Sequence, residues 1–178
     1  MTNLRTPQHA GPRAKIDVES YISGYFDGEG CFSVSISPRP GIRVGWEVRP
    51  SVSVSQNADR GQVIELVSEY FGCGSIRPDR SDYTIKWETR RLSDIASRVL
   101  PHFVEYRLLS NKQQDVDLLK SISQLMLAGA HRTRDGLLEI ARLSSLMNPS
   151  GSRRYSLAQI EASARGEGIV CPTGKRWN

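Results

Sequence analysis

The sequence predicts an α+β fold in which helices cover one face of an antiparallel sheet. Three observations carry the prediction. Residues 31–55 and 75–89 alternate apolar and polar side chains, the period-two signature of half-buried strands. Stretches with apolar residues at helical spacing lie before, between and after them, over 17–28, 60–71, 92–100, 110–127 and 133–147. Glycine- and proline-rich turns, Pro38-Arg39-Pro40-Gly41 and Gly72-Cys73-Gly74, fall inside the first hairpin and ahead of the second. The resulting order is helix-hairpin-helix-hairpin-helix, with further helices towards the C-terminus.

Asp17 to Gly28 forms the first expected helix, with Asp17 or Ser20 near its start. Phe32, Val34 and Ile36 then alternate with Ser33, Ser35 and Ser37. In the next strand Val44, Trp46, Val48, Val52 and Val54 share one parity, and Glu47, Arg49, Ser51, Ser53 and Ser55 the other. Pro50 lacks a ladder donor, which predicts an edge position or a bulge. Asn57 or Asp59 is placed to cap the helix over 60–71. The second hairpin pairs a short strand, Ser75–Arg77, with 82–89, where Tyr83, Ile85 and Trp87 alternate with Thr84, Lys86 and Glu88. Pro101 is expected to break the next helix, and Gly129 to end the one after. Residues 148–152 form a linker, Ser156 caps a last short helix, and 166–178 look loosely ordered. The domain division is a flexible basic tail over 1–16, a core over 17–147 and a basic C-terminal extension over 148–178.

The 178 residues, 38% hydrophobic and 24% charged, suit one globular domain. No apolar run approaches membrane-spanning length, so no membrane partner is expected. The tail lacks the apolar core of a secretory signal, and three widely spaced cysteines, Cys31, Cys73 and Cys171, form no CxxC pair. Reduced, partly buried thiols in an intracellular protein, in prokaryotic cytoplasm or an organelle, are the expectation. His9, His102 and His131 are isolated and imply no metal cluster. The net charge is +5, of which residues 129–178 hold +4. That bias favours polyanionic partners, although a solvated surface accounts for it as well. Arg132, Arg134, Arg153 and Arg154 are candidates for phosphate contacts.

The most informative stretch is Tyr21 to Gly30, which sets Asp27 and Glu29 among Gly24, Gly28 and Gly30 at a helix end. Gly24 and Gly28 share one helix face and allow another backbone to approach. If a second copy of the helix packs there, two Glu29 carboxylates converge and need a cation between them. Hard oxygen donors of this kind suit Mg²⁺. A helix ending in an Asp-Gly-Glu-Gly turn with solvated charges is the competing reading.

Ile22-Ser23-Gly24-Tyr25-Phe26-Asp27-Gly28-Glu29-Gly30 resembles the motif of the LAGLIDADG homing endonucleases. Val52 to Gln56 is similar to the family's second strand, Phe71 to Ile76 to the turn opening its second hairpin, and Leu108 to Gln114 to the start of its late helix. The resemblance implies an αββαββα core with a saddle-shaped antiparallel sheet, plus C-terminal helices here. It implies metal binding by Glu29, with the Gly28 carbonyl beside it, and a structural or interface role for Asp27. Gln56 matches a residue that positions solvent. Lys112 is the candidate for stabilising transition-state charge, with Arg107 a substitute, since the family's basic position aligns with Ser110 or Lys112. Gly24, Gly28 and Asp27 form the implied dimer interface, because a chain with one motif needs a partner copy.

The polar sheet face is the implied DNA reader, through Ser33, Ser35, Ser37, Arg39, Glu47, Arg49, Ser51, Ser53, Arg77, Thr84 and Lys86. A two-stranded ribbon fits the major groove. A strand of ~10 residues spans ~33 Å, about 10 base pairs. From the pattern alone, solvent-facing positions of an antiparallel sheet are the readier account, and the resemblance reverses that. The implied activity is metal-dependent, site-specific cleavage of double-stranded DNA by a homodimer at a pseudo-palindromic site, as in intron-encoded homing endonucleases. The alternatives are an RNA maturase acting on intron RNA and a non-cleaving nucleic-acid-binding protein.

Overall fold

A computed structural model describes residues 16–79, 82–149, 151–165, 169–170 and 176–177. Helix α1 spans Val18–Glu29. It starts where Asp17 caps it, Oδ1 accepting from the Ser20 amide at 3.2 Å and Oδ2 from the Ser20 hydroxyl at 2.6 Å. It runs directly into β1, Gly30–Pro38. Gly30 leaves the helix with an ordinary extended backbone, φ −73°. Its lack of a side chain matters for space instead, since a Cβ would lie 2.6 Å from the Phe26 ring and carbonyl.

Strand β2, Trp46–Asn57, pairs antiparallel with β1 from Gly30↔Val54 to Pro38↔Trp46. The register is unbroken, so the bulge considered at Pro50 does not form. Pro50 pairs with Val34, on the part of β2 that no other strand reaches, so a missing donor on that side costs nothing. A 3₁₀ turn, Ala58–Arg60, leads into α2, Gln62–Phe71. Gly61 is the cap residue, and neither Asn57 nor Asp59 caps the helix, because the 3₁₀ turn moves its start beyond their reach. Strands β3, Ser75–Asp79, and β4, Thr84–Thr89, form the second hairpin, with β3 longer than expected. The four strands are ordered β1-β2-β4-β3.

Helix α3 is a composite of Leu92–Asp94, a π turn Ile95–Val99 and Leu100–Glu105. Pro101 therefore does not break it. The wider π turn precedes the proline, and Pro101 falls at the start of the following α segment, where its missing N–H is tolerated. Helix α4, Lys112–Leu127, is followed by Gly129 at φ +78°. Helix α5 covers Arg134–Ser145, capped by Thr133, and α6 covers Leu157–Ala164 behind a Ser156/Gln159 capping box. The tail before Ile16 lies outside the described residues. Within 166–178, expected to lack regular structure, Ile169–Val170 pairs with Arg176–Trp177.

One sheet face and the helices enclose the core. Phe26 of α1 sits at its centre, its ring 5.1–6.1 Å from those of Phe32, Phe71, Trp87 and Phe103. The C-terminal segment packs on the same core: the Trp46 indole donates to Ser163 Oγ at 3.0 Å, and Asn148 Nδ2 donates to the Phe32 carbonyl at 2.7 Å. The opposite sheet face carries the polar parity, and its side chains other than Ser53 are half-buried or exposed. No helix among the described residues is long and apolar enough to cross a membrane.

Candidate helix-end site and nucleic-acid interface

Three segments meet at the C-terminal end of α1. The first is α1 itself, which buries Ile22, Ser23 and Phe26 and leaves Tyr21, Gly24, Gly28 and Glu29 exposed. A Cβ at Gly24 or Gly28 would meet nothing within 4 Å. Packing within the protomer therefore does not explain these helix-weakening glycines, each costing up to about 1 kcal/mol.

The second segment joins α3 to α4. Asp27 accepts from the amides of Leu109 and Ser110, both at 3.1 Å, and from the Ser110 hydroxyl. Burial pushes the Asp27 carboxyl up. The Ser110 and Leu109 donors and the Lys112 charge outweigh it and hold the group below its ordinary range. Lys112 reaches the other way, Nζ donating to the carbonyls of Phe26 at 3.2 Å and Gly28 at 3.1 Å. Arg107 instead pairs with Asp117 at 3.2 Å. Of the two basic candidates, the structure thus brings Lys112 to α1.

The third segment is the end of β2. Register sets Gly30 opposite Val54, so Glu29 and Gln56 belong to the same end of the sheet. Tyr25 of α1 donates to the Ser55 carbonyl at 3.1 Å. Burial raises the Tyr25 phenol, the Glu29 charge raises it further, and a hydrogen bond with Gln56 opposes both. Tyr25, not singled out from sequence, therefore lies between the two candidates. Gln56 Oε1 accepts from the Asn57 amide at 2.8 Å.

Among the described residues no three His, Cys, Asp or Glu side chains gather as a metal cage. A lone exposed carboxylate beside the Gly28 carbonyl fits an ion that keeps most of its waters and takes further oxygens from phosphate, which is the habit of Mg²⁺. His102 is no ligand. Its Nε2 meets Ser23 Oγ at 3.0 Å and its Nδ1 meets the Tyr70 hydroxyl at 2.9 Å. Ser23 spends its proton on the Tyr106 carbonyl at 2.6 Å, so Nε2 must donate and Nδ1 must accept. Burial pushes the imidazole down to about 4.

The candidate readers of the β-strands share the polar face. Ser33↔Ser51, Ser35↔Arg49 and Ser37↔Glu47 are cross-strand pairs, and Ser55↔Lys86 and Arg77↔Lys86 continue a row to the far edge. Arg39 follows in the turn, its amide bonded to the Gly45 carbonyl at 2.8 Å. Thr84 donates to Asp82 Oδ1 at 2.7 Å. Ser53 is buried, so of the eleven it is the one not free to reach a ligand. Glu47 pairs with Arg39 and with Arg49, the latter at 2.6 Å. Glu88 pairs with Lys86 at 3.3 Å and Arg90 at 3.0 Å, and accepts from Ser51 at 3.0 Å. Neither Glu88 nor Arg90 was picked out from sequence. Both continue the parity of Thr84 and Lys86, which is the signal that finds them. Cys31, expected to be partly buried, is exposed because its parity is that of the polar face.

Residues 22–123 match the family profile described as LAGLIDADG endonuclease. The chain belongs to the LAGLIDADG endonuclease family. A probable intron-encoded endonuclease 2 of Neurospora crassa is 31% identical over 130 residues, which are 72% of this chain and 29% of that protein. The chain thus spans less than a third of that relative. The crystal structure of the homing endonuclease I-TnaI superposes with a TM-score of 0.75 at 28% identity, covering 83% of this chain and 97% of that one. The LAGLIDADG homing endonuclease I-LtrWI, solved bound to its target DNA, superposes with a TM-score of 0.74 at 26% identity, covering 90% of this chain and 51% of that one.

Proposed function

We propose that two copies of this chain form a metal-dependent, site-specific endonuclease that cuts both strands of duplex DNA inside the cell. The observation that carries this reading is the open end of α1. Its glycine face meets no partner among the described residues, and its last residue, Glu29, is an exposed carboxylate. Apposed glycine faces bring two Glu29 side chains together, and a C2 pair recognises a pseudo-palindromic site. The coverage of I-LtrWI supports two copies, since this chain matches about half of that DNA-bound protein.

In this reading Glu29 would hold Mg²⁺ together with phosphate oxygens and water, joined by the Gly28 carbonyl once Lys112 turns from it to the phosphates. The ion supplies an activated water and charge for the leaving oxygen. The protein's own groups do the positioning. Asp27 fixes the 109–110 backbone, and Lys112 brings a positive charge to the helix end that faces the scissile phosphates. Tyr25 and Gln56 order the solvent beside Glu29. The polar sheet face lies along the major groove, and its side chains read base edges.

The test is incubation with a randomised duplex library, with and without Mg²⁺, followed by sequencing of the ends. The expected result is sequence-restricted double-strand ends that require Mg²⁺ and disappear in Glu29→Gln, which still binds duplex. Undiminished cutting by Glu29→Gln overturns the assignment. Selective binding without cutting by the wild type would replace the nuclease with a binder.

A further inference from the structure

We propose that Glu88 and Glu47 are specificity determinants: each carboxylate pairs with two cationic readers, withholding them from indiscriminate phosphate binding and fixing them for bases. The inference rests on the sheet face being the DNA reader. It concerns the two acids on that face, which a simple count of basic side chains would treat as an affinity defect.

The geometry is the same in both places. Glu88 has a side chain 11% exposed, while Lys86 and Arg90 on either side are 45% and 58% exposed. Glu47 is 20% exposed, beside Arg39 and Arg49 at 55% and 54%. In each case the carboxylate is the covered member of its trio and the two cationic side chains are the exposed ones. Ser51, from the neighbouring strand, adds a hydrogen bond that fixes Glu88. Burial pushes the Glu88 carboxyl up, but Ser51, Lys86 and Arg90 together hold it below its ordinary range, so it stays charged.

Two consequences follow for a duplex. A lysine or arginine already paired must give up part of that pairing to reach a phosphate, so it adds little to sequence-independent attraction. Held in place, it can still meet guanine O6 and N7. The carboxylate accepts only from donors, the exocyclic amines of cytosine and adenine, and repels the acceptors that other bases present. Discrimination then comes from an unfavourable contact as much as from a favourable one. Register places the Glu88 row opposite Ser53 and the Glu47 row opposite Ser37. Six residues separate the two rows along β2, about 20 Å, or about six base pairs.

The experiment compares wild type, Glu88→Gln and Glu47→Gln in two measurements. One is affinity for a scrambled duplex across a salt titration. The other is sequencing of duplexes retained from a randomised pool. Each freed phosphate contact steepens the salt dependence by about 0.9, which at 0.1 M against a 1 M reference is about eightfold tighter binding. The expected result is tighter scrambled-duplex binding by each variant. Each should also lose base preference in one block per half-site, the two blocks about six base pairs apart. Unchanged or weaker scrambled binding with unchanged base preference in both variants overturns the proposal. Glu47→Gln keeps the test decisive should Glu88→Gln fail to fold. Lys86→Ala and Arg49→Ala separate the underlying reading: if both retain the same sequences from the randomised pool as the wild type does, the sheet is not the reader and that reading fails first.

Discussion

Acidification should loosen the grip of α1 on its neighbours well before carboxylates titrate, and His102 is the reason. The folded imidazole sits at about 4, against 6.5 for the free side chain. Between these values the unfolded chain takes up a proton that the folded chain refuses. Stability is therefore complete above pH 6.5, falls as the pH drops, and levels off below 4. At pH 5 the gap covers 1.5 of the 2.5 available units, or about 2 kcal/mol at about 1.4 kcal/mol each. Tyr70, whose hydroxyl meets Nδ1, is itself exposed, and solvent screening trims this to about 1 kcal/mol. With an unfolding slope of about 2 kcal/mol per molar urea, the midpoint should fall by about 0.5 M between pH 7.5 and pH 5. Urea titrations of wild type and His102→Gln at both pH values make the measurement. His131 is also pushed down by burial, so the difference between the two proteins isolates His102. An identical shift in His102→Gln, or no shift in the wild type, refutes the reasoning.

Lys112→Met should keep duplex binding but slow single-turnover cleavage by about 10²-fold or more, the cost of one donor aimed at developing charge. Arg107→Met should cut at close to the wild-type rate, because Arg107 is committed to Asp117. Gly24→Ala should stabilise the protomer by up to about 1 kcal/mol in thermal unfolding, since the added Cβ meets nothing and helix propensity improves. Gly24→Leu should leave a folded monomer in sedimentation, and a persistent dimer would place the contact elsewhere. Phe26→Ala should cost about 3–5 kcal/mol in urea unfolding, as the ring touches four other aromatics.

Much of this was legible in the sequence wherever a periodicity carried it. The valine and serine parities of 31–55 set the two sheet faces, and the Gly24-Gly28-Glu29 spacing set the open helix face. What stayed hidden was decided by partners distant in sequence or by the space available. Pro50 reads as an edge position or a bulge, and only the pairing decides for the edge, since β2 there has a neighbour on one side only. Pro101 reads as a break, yet a π turn ahead of it absorbs the misfit. Gly30 is needed because the Phe26 ring fills the space of a side chain, which no spacing in the sequence shows. Lys112 could be chosen as basic but not placed, because the carbonyls it reaches lie 84 and 86 residues away. Glu88 alternates correctly, but nothing local shows that three side chains converge on it.

The exchange between α1 and the start of α4 explains why the motif's two acids differ. A carboxylate in the last turn of a helix faces the negative end of the helix dipole, which costs about 0.3–1 kcal/mol. Asp27 escapes that penalty by crossing to the amides of Leu109 and Ser110, ahead of α4, where free N–H groups and the positive helix end gather. Lys112, from the first turn of α4, crosses back to the carbonyls of Phe26 and Gly28, at the negative end of α1. Each helix thus neutralises the other's unfavourable terminus with a side chain of its own. Asp27, held by these donors, has little freedom to bind an ion. Glu29, two residues further and exposed, keeps its oxygens available. The same crossing ties the position of the Lys112 charge to that of Glu29, so a shift of either helix end moves both together.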